Sequence, residues 1–317
     1  MIQIKSTPER DLSALSKDFF LQLKPLLLKR INRSKAAAWL KQFLNRHLED
    51  IITALPKDLM AIDQNFRNEL KLNHTTIIKE KTSLEKIFNY NVFTNDTKTT
   101  YAFAKSLGVN CCPYCNRNYT VTVVDQAKKA VVRPDFDHFL AKSKYPHFGL
   151  SFFNLIPSCP LCNRSVKRAK NLVYGKYIHP YEQGFEKALR FNYKANDADS
   201  LVGLKANLEI ELLMDMTDPV LAKRCEESFN IFKLKDIYEI SHLEEISEII
   251  RKYHSSGGRY LQILHNSLTG IGSIEELYRI GFGNYYLIDE HGRRPLAKLT
   301  KDIVDQLSFN LPTTINP

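Results

Sequence analysis

Two Cys-x-x-Cys pairs constrain this chain more than any other feature: Cys112 with Cys115, and Cys159 with Cys162. Two intervening residues let the backbone turn around an ion and present two sulfurs to it. Four thiolates meet the tetrahedral preference of Zn²⁺, and a closed four-ligand site is structural. The 43 residues between Cys115 and Cys159 exceed the usual zinc-ribbon gap. The chemistry is therefore expected inside that gap. Cys111 is adjacent to Cys112 and could replace it, although the second pair also has two residues between its cysteines. Buried reduced thiols without a metal are the alternative reading of the four. Cys225 reads as a small core residue.

The pairs read as metal ligands only if the thiols stay reduced. No apolar run approaches the roughly 18–20 residues that span a membrane, and the N-terminal MIQIKSTPERDL lacks an apolar signal core. The expectation is a cytoplasmic chain with no membrane association, in which such pairs bind metal rather than form disulfides. Net charge is +10 over 317 residues. From Cys111 to Arg190 there are 13 Lys and Arg against 5 Asp and Glu, so most of the excess lies in a quarter of the chain. Clustering beside the cysteine pairs points to nucleic acid as partner; a merely basic soluble protein is the alternative.

The expected fold class is α+β and predominantly helical. Residues 1–100 read as a helical N-terminal region, 101–195 as the core that carries the chemistry, and 196–317 as a mainly helical C-terminal region. In the first, LSALSKDFFLQLKPLLLKRIN and KAAAWLKQFLNRHLEDIITAL repeat apolar residues every three or four positions. Pro56 ends the second helix or begins a turn. Thr82-Ser83-Leu84-Glu85 is a candidate helix start with weak capping chemistry. Tyr119–Val124 and Ala130–Arg133 read as a hairpin. Pro134 releases the chain into Asp135-Phe136-Asp137-His138, and Gly149–Ile156 is a further extended piece. A helix with Pro160 in its first turn and a basic face is expected to run to about Lys170. Leu208, Ile210 and Leu212 alternate as one strand. Residues 219–268 read as helical with a break at Gly257-Gly258. SIEELYRIGF and KLTKDIVDQL read as two more helices.

His138 is the candidate general base, because a neutral imidazole can take a proton from water near pH 7. Asp137 beside it can hold a divalent cation. Adjacent side chains on a strand point to opposite faces, so both serve one site only where the strand bends or ends. Asn163, next to Cys162, can give the same cation a neutral oxygen. Asn154 can hydrogen-bond backbone near His138 and hold the loop in shape. Together these suggest a one-metal phosphodiesterase. Lys142, Lys144, Arg164, Lys167 and Arg168 are candidate contacts to a phosphate backbone. Asp135 reads as a second acid or as a residue at the start of a loop. His147 reads as a phosphate or metal contact or as a solvent-facing loop histidine, and His179 as lining the site or starting a turn.

The run Cys112-x-x-Cys115, Asp137-His138, Asn154, Cys159-x-x-Cys162-Asn163 resembles the HNH endonucleases. The fuller strings DHFLAKSKYP, NLIPSCPLCN and IHPYEQGF are similar to the branch that includes nuclease subunits of Septu-type and retron-associated antiphage defence systems. The resemblance spans roughly residues 110–195. It implies a ββα-metal core in a zinc frame, with Asp137 and Asn163 as metal ligands, His138 as general base and Asn154 as the orienting residue. The third named histidine of the family is an Asn here. An oxygen-only metal site follows, which favours Mg²⁺ or Mn²⁺ as catalytic ion. The resemblance also implies an ATPase protein partner. The function expected is a metal-dependent endonuclease, cutting DNA in preference to RNA; the alternative is a zinc-framed nucleic-acid-binding module without catalysis. A third reading, compatible with the first, is an effector whose helical ends dock another protein.

Overall fold

The computed structural model describes residues 1–127, 129–168 and 170–312. Lys128, in the expected hairpin loop, and Ala169, in the expected basic helix, lie outside the described residues. The class is α+β and predominantly helical. The chain divides into two compact units: one holds Ile4–Val109 and Thr120–Glu182, the other Met1–Gln3, Asn110–Tyr119 and the chain from Gln183 onward. This differs from three successive regions at 1–100, 101–195 and 196–317. The physical reason is that the N-terminal helices share a core with the central strands, so sequence order does not delimit the packing.

That shared core lies in the unit of Ile4–Val109 and Thr120–Glu182. Its helices are α1 (Leu12–Arg33), α2 (Ala38–Thr53), α3 (Pro56–Leu72), α4 (Ile77–Ile87), α5 (Tyr90–Asn95) and α6 (Thr97–Leu107). Helix α1 is capped by Asp11, whose carboxylate accepts from Ser13 N at 2.9 Å, and it buries Phe19, Leu23, Leu27 and Ile31 on one stripe. Pro56 does not merely end a helix; it occupies the first turn of α3, where its missing N–H costs nothing. Thr82 lies inside α4, which starts earlier, because the Thr76 side chain caps Lys79 N. Asn89 and Asp96 cap α5 and α6, and Gly108 ends α6 at φ 54°.

Five phenylalanines close this core. Phe19 of α1 stacks on Phe103 of α6 at 4.5 Å, and Phe103 packs on Phe136 at 4.9 Å and Phe152 at 5.5 Å. Phe93 of α5 meets Phe19 edge-on at 5.7 Å. The strands they support are β3 (Asp135–His138) and β4 (Leu155–Ser158), which follow the short, exposed hairpin β1 (Val123–Val124) and β2 (Ala130–Val132). Strands β3 and β4 are antiparallel, with Asp137 opposite Ile156 and His138 opposite Leu155. The extended piece expected at Gly149–Ile156 is instead a 3₁₀ turn, Phe152–Asn154, leading into β4. The expected α-helix after Pro160 is a π-helical segment, Leu161–Lys167, closed by Arg168 N to Asn163 O at 2.9 Å.

The other unit pairs β5 (Leu189–Ala195) with β6 (Leu208–Met214) along their whole length. Only β6 was legible by alternation. The helices are α7 (Ala198–Leu201), α8 (Pro219–Ile231), α9 (Leu234–Ser241), α10 (Leu243–Ser255), α11 (Tyr260–Ser267), α12 (Ile274–Phe282) and α13 (Ala297–Leu307). Gly257 and Gly258, both at positive φ, separate α10 from α11 as the sequence suggested. In α13 the buried Lys298 ammonium donates to Asp302 at 2.6 Å, and Asp302 accepts Phe191 N of β5 at 2.9 Å. Among the described residues no helix is long and apolar enough to cross a membrane.

Gly203 tests this packing. Its φ is +75°, and a Cβ there would lie 2.4 Å from Arg251 N and 2.5 Å from Ser247 O of α10. The left-handed conformation alone costs an L-residue about 1–2 kcal/mol, and backbone cannot yield as a side-chain tip would. Gly203→Ala is expected to lower stability by more than about 2 kcal/mol, read as a lower urea midpoint.

Candidate functional site

The cysteines come together as their spacing predicts. The Sγ atoms of Cys112, Cys115, Cys159 and Cys162 all lie within 4.8 Å of one another, and all four residues are buried. Zn–S bonds of about 2.3 Å place tetrahedral sulfurs roughly 3.8 Å apart, so this donor set fits a zinc ion with a small contraction. Backbone amides already point at the sulfurs: Arg117 N at 3.4 Å from Cys115 Sγ, and Cys162 N at 3.4 Å from Cys159 Sγ. Asn116 makes the first turn possible at φ 51°, a conformation that Asn tolerates. Cys111 lies outside the cluster. Burial pushes its thiol up to about 12, so it stays protonated. Cys225 is buried in α8, a core residue.

His138 is almost fully buried at the end of β3. Its Nε2–H donates to the Gly149 carbonyl at 2.9 Å. The other nitrogen, Nδ1, has no hydrogen-bond partner among the described residues. The edge of the ring packs on Tyr90 at 4.5 Å, and the Tyr90 hydroxyl donates to Phe136 O at 2.7 Å. Burial lowers the imidazole pKa to about 4, so the ring is neutral at pH 7. Asn154 is wholly buried and braces the loop over the strands. Its Oδ1 accepts Leu140 N at 2.7 Å, and its Nδ2 donates to Leu140 O and Phe148 O, both at 3.1 Å. Phe148 is the neighbour of Gly149, so Asn154 sets the carbonyl that orients His138.

The two expected cation ligands are not assembled as an open site. Lys167 was expected to face phosphate; it is instead 3% exposed, and its ammonium donates to Asp137 Oδ1 at 2.8 Å and to His138 O at 2.9 Å. An unpaired Asp137 carboxylate in this buried position would be costly, and the lysine satisfies it. Asn163 donates to Asp135 at 3.2 Å, and Arg164 holds the same carboxylate at 2.6 and 2.7 Å. Asp135 is thus neither an open acid nor a plain loop residue. As arranged, Asp137 and Asn163 do not fit a catalytic Mg²⁺ or Mn²⁺ between them.

Lys142, Lys144 and Arg168 are exposed. The Lys142 ammonium lies over the Tyr90 ring at 4.9 Å. An open cleft of about 370 Å³ is bordered by Lys86, Tyr90, Lys142, Pro146 and Gly149, and so touches both residues that hold His138. The sequence gave no sign of Lys86 or Tyr90, which lie some fifty residues before the motif. His147 is neither a phosphate contact nor solvent-facing: it is buried, with Nε2 3.3 Å from Asp63 of α3, and burial lowers its pKa. His179 is buried against Phe139 at 4.2 Å, in keeping with a structural role.

Purified protein is expected to carry about one zinc per chain by elemental analysis, and Cys159→Ser to lose it together with the folded signal of the central region. Structural zinc sites contribute roughly 10–16 kcal/mol of apparent binding energy in small peptides, more than most domains hold in reserve. Folded wild-type protein devoid of zinc would refute the assignment. Asn154→Ala leaves Leu140 and Phe148 backbone groups unpaired, and is expected to lower stability by about 2–4 kcal/mol, at 1–3 per buried group, in a chemical denaturation curve. Comparison of the chain with protein-family models, with curated proteins and with solved structures finds no match.

Proposed function

We propose that this protein is an HNH-type endonuclease that hydrolyses phosphodiester bonds of nucleic acid, DNA in preference to RNA. One observation carries the reading. His138 donates Nε2–H to the Gly149 carbonyl, which leaves Nδ1 as an acceptor in the neutral ring. A general base needs that arrangement: one nitrogen fixed by backbone, the other able to take a proton. The cleft bordered by Lys86 and Lys142 beside it supplies cationic, stackable walls of the kind a phosphate backbone and its bases meet.

In this mechanism water attacks the scissile phosphorus and His138 Nδ1 takes its proton as the P–O bond to the leaving group breaks. Tyr90 and Gly149 hold the ring, and the buried setting keeps it neutral. The low pKa costs basicity but maintains the acceptor form throughout the physiological range. Asn154 acts through the loop and not on substrate. The catalytic Mg²⁺ or Mn²⁺ implied by the resemblance would stabilise the leaving oxygen when bound; no step is assigned to it here, because Lys167 holds Asp137. The proposal extends to an effector role in antiphage defence with an ATPase partner.

The same Lys167–Asp137 pair favours a second reading, a zinc-framed nucleic-acid-binding module without catalysis. Cleavage separates the two. His138→Ala is expected to reduce plasmid cleavage at least 10²-fold, within the range a positioned base contributes, while zinc content and DNA binding persist. Wild-type cleavage is expected to rise with pH through about 4 and stay flat above roughly pH 5–6, because the base must be unprotonated and its pKa is lowered. Full activity in His138→Ala would remove the residue from the mechanism and leave the binding module as the better reading.

A further inference from the structure

The pairing of Lys167 has a chemistry of its own. Its ammonium sits on two oxygens, Asp137 Oδ1 at 2.8 Å and the His138 backbone carbonyl at 2.9 Å. A carboxylate with a carbonyl is a hard-oxygen donor set, the kind that Mg²⁺, Mn²⁺ and Ca²⁺ select. The site therefore already holds a cation, but one supplied by the chain. Both side chains of the pair are 3% exposed, so water does not screen it and no ion reaches these oxygens while the lysine is in place.

The lysine is also placed to leave. It is the last residue of the π-helical segment Leu161–Lys167, and π turns are wound with one more residue per hydrogen-bonded ring than α turns. The next residue, Arg168, has φ 50° and ψ −128°, a conformation that a residue with a Cβ avoids. A short backbone rotation at Arg168 relieves this and carries Lys167 away from β3. A strained residue directly after a buried charge is what a two-position element requires.

We infer that Lys167 is a latch: its ammonium occupies a divalent-cation site formed by Asp137 and the His138 carbonyl, and the ion enters only by displacing it. The second ligand is then a backbone carbonyl on β3 itself. The inference rests on the reading of Asp137 as a cation ligand; it does not depend on cleavage. It gives the protein a resting form with its cation site closed, opened by divalent ion or by whatever pulls on the segment after Lys167.

The test uses the zinc-loaded chain without nucleic acid and Mn²⁺ as probe. Lys167→Gln is uncharged and can still hydrogen-bond both oxygens; electron paramagnetic resonance titration is expected to show it binding Mn²⁺ at least tenfold tighter than wild type. Adding Asp137→Asn should abolish the gain. Equal affinity in Lys167→Gln and wild type overturns the latch. Should the variant not fold, wild type answers alone. The ε-amine of Lys167, read by mass spectrometry after brief acetylation, is expected to be protected without Mn²⁺ and labelled at least tenfold faster with it; labelling that ignores Mn²⁺ overturns the latch as well. A Lys167→Gln chain that binds Mn²⁺ tightly but cuts nothing keeps the latch and sinks the nuclease. A wild-type chain that cuts DNA while its Lys167 labelling ignores Mn²⁺ does the reverse.

Discussion

The side-chain amide of Asn154 is the contact on which the site's shape depends. It is fully buried and makes three hydrogen bonds to backbone, two to Leu140 and one to Phe148. A loop that runs from the end of β3 to the start of β4 would otherwise carry unpaired amides into the core, at about 1–3 kcal/mol each. By holding both limbs of the loop, the amide sets where the Gly149 carbonyl points, and that carbonyl fixes His138. The phenylalanines of α1, α5 and α6 then close the apolar side of the same strands. Polar geometry and hydrophobic burial thus converge on one short piece of sheet, and neither would hold His138 without the other.

Two lysines are buried in this chain beside aspartates, and they differ in kind. Lys298 and Asp302 are one helical turn apart, so α13 itself aligns them, and the aspartate goes on to accept a strand amide. Lys167 and Asp137 are thirty residues apart, and only the tertiary fold brings them together. A local pair is held by a rigid helix. A non-local one is only as firm as the segment that delivers the lysine, and here that segment is a π turn followed by a backbone outlier.

Much of this was legible in the sequence. The cysteine spacing announced a four-sulfur cluster, and that cluster is present. Apolar repeats located α1, α2 and α13, and alternation located β6, because burial of one face leaves a period. Strand β5 escaped because Arg190, Asn192 and Lys194 read as surface, while its partner's register cannot be seen from one strand alone. Lys167 was misread for a general reason: a lysine in a basic run belongs by default to the solvent, and nothing local reports a carboxylate thirty residues away. His147 hid its partner in the same way, since Asp63 lies on a helix some eighty residues earlier. Tyr90 and Lys86 carry no motif, and only packing gives them a place at the cleft.

The role of Tyr90 bears on how this chemistry can be inherited. Its ring walls His138, and its hydroxyl holds the strand backbone at Phe136, yet it belongs to a helix that precedes the hairpin and both strands. The recognisable stretch is therefore not a portable cassette. Transplanted into another scaffold, residues 134–168 would carry their imidazole into a setting that lacks its aromatic neighbour and the aromatic floor beneath β3. Recombination that exchanged the motif alone would be penalised, whereas exchange that moved the N-terminal helices with it would not. The unit of descent for this site is the helical surround together with the strands, a piece several times longer than the pattern by which it is noticed.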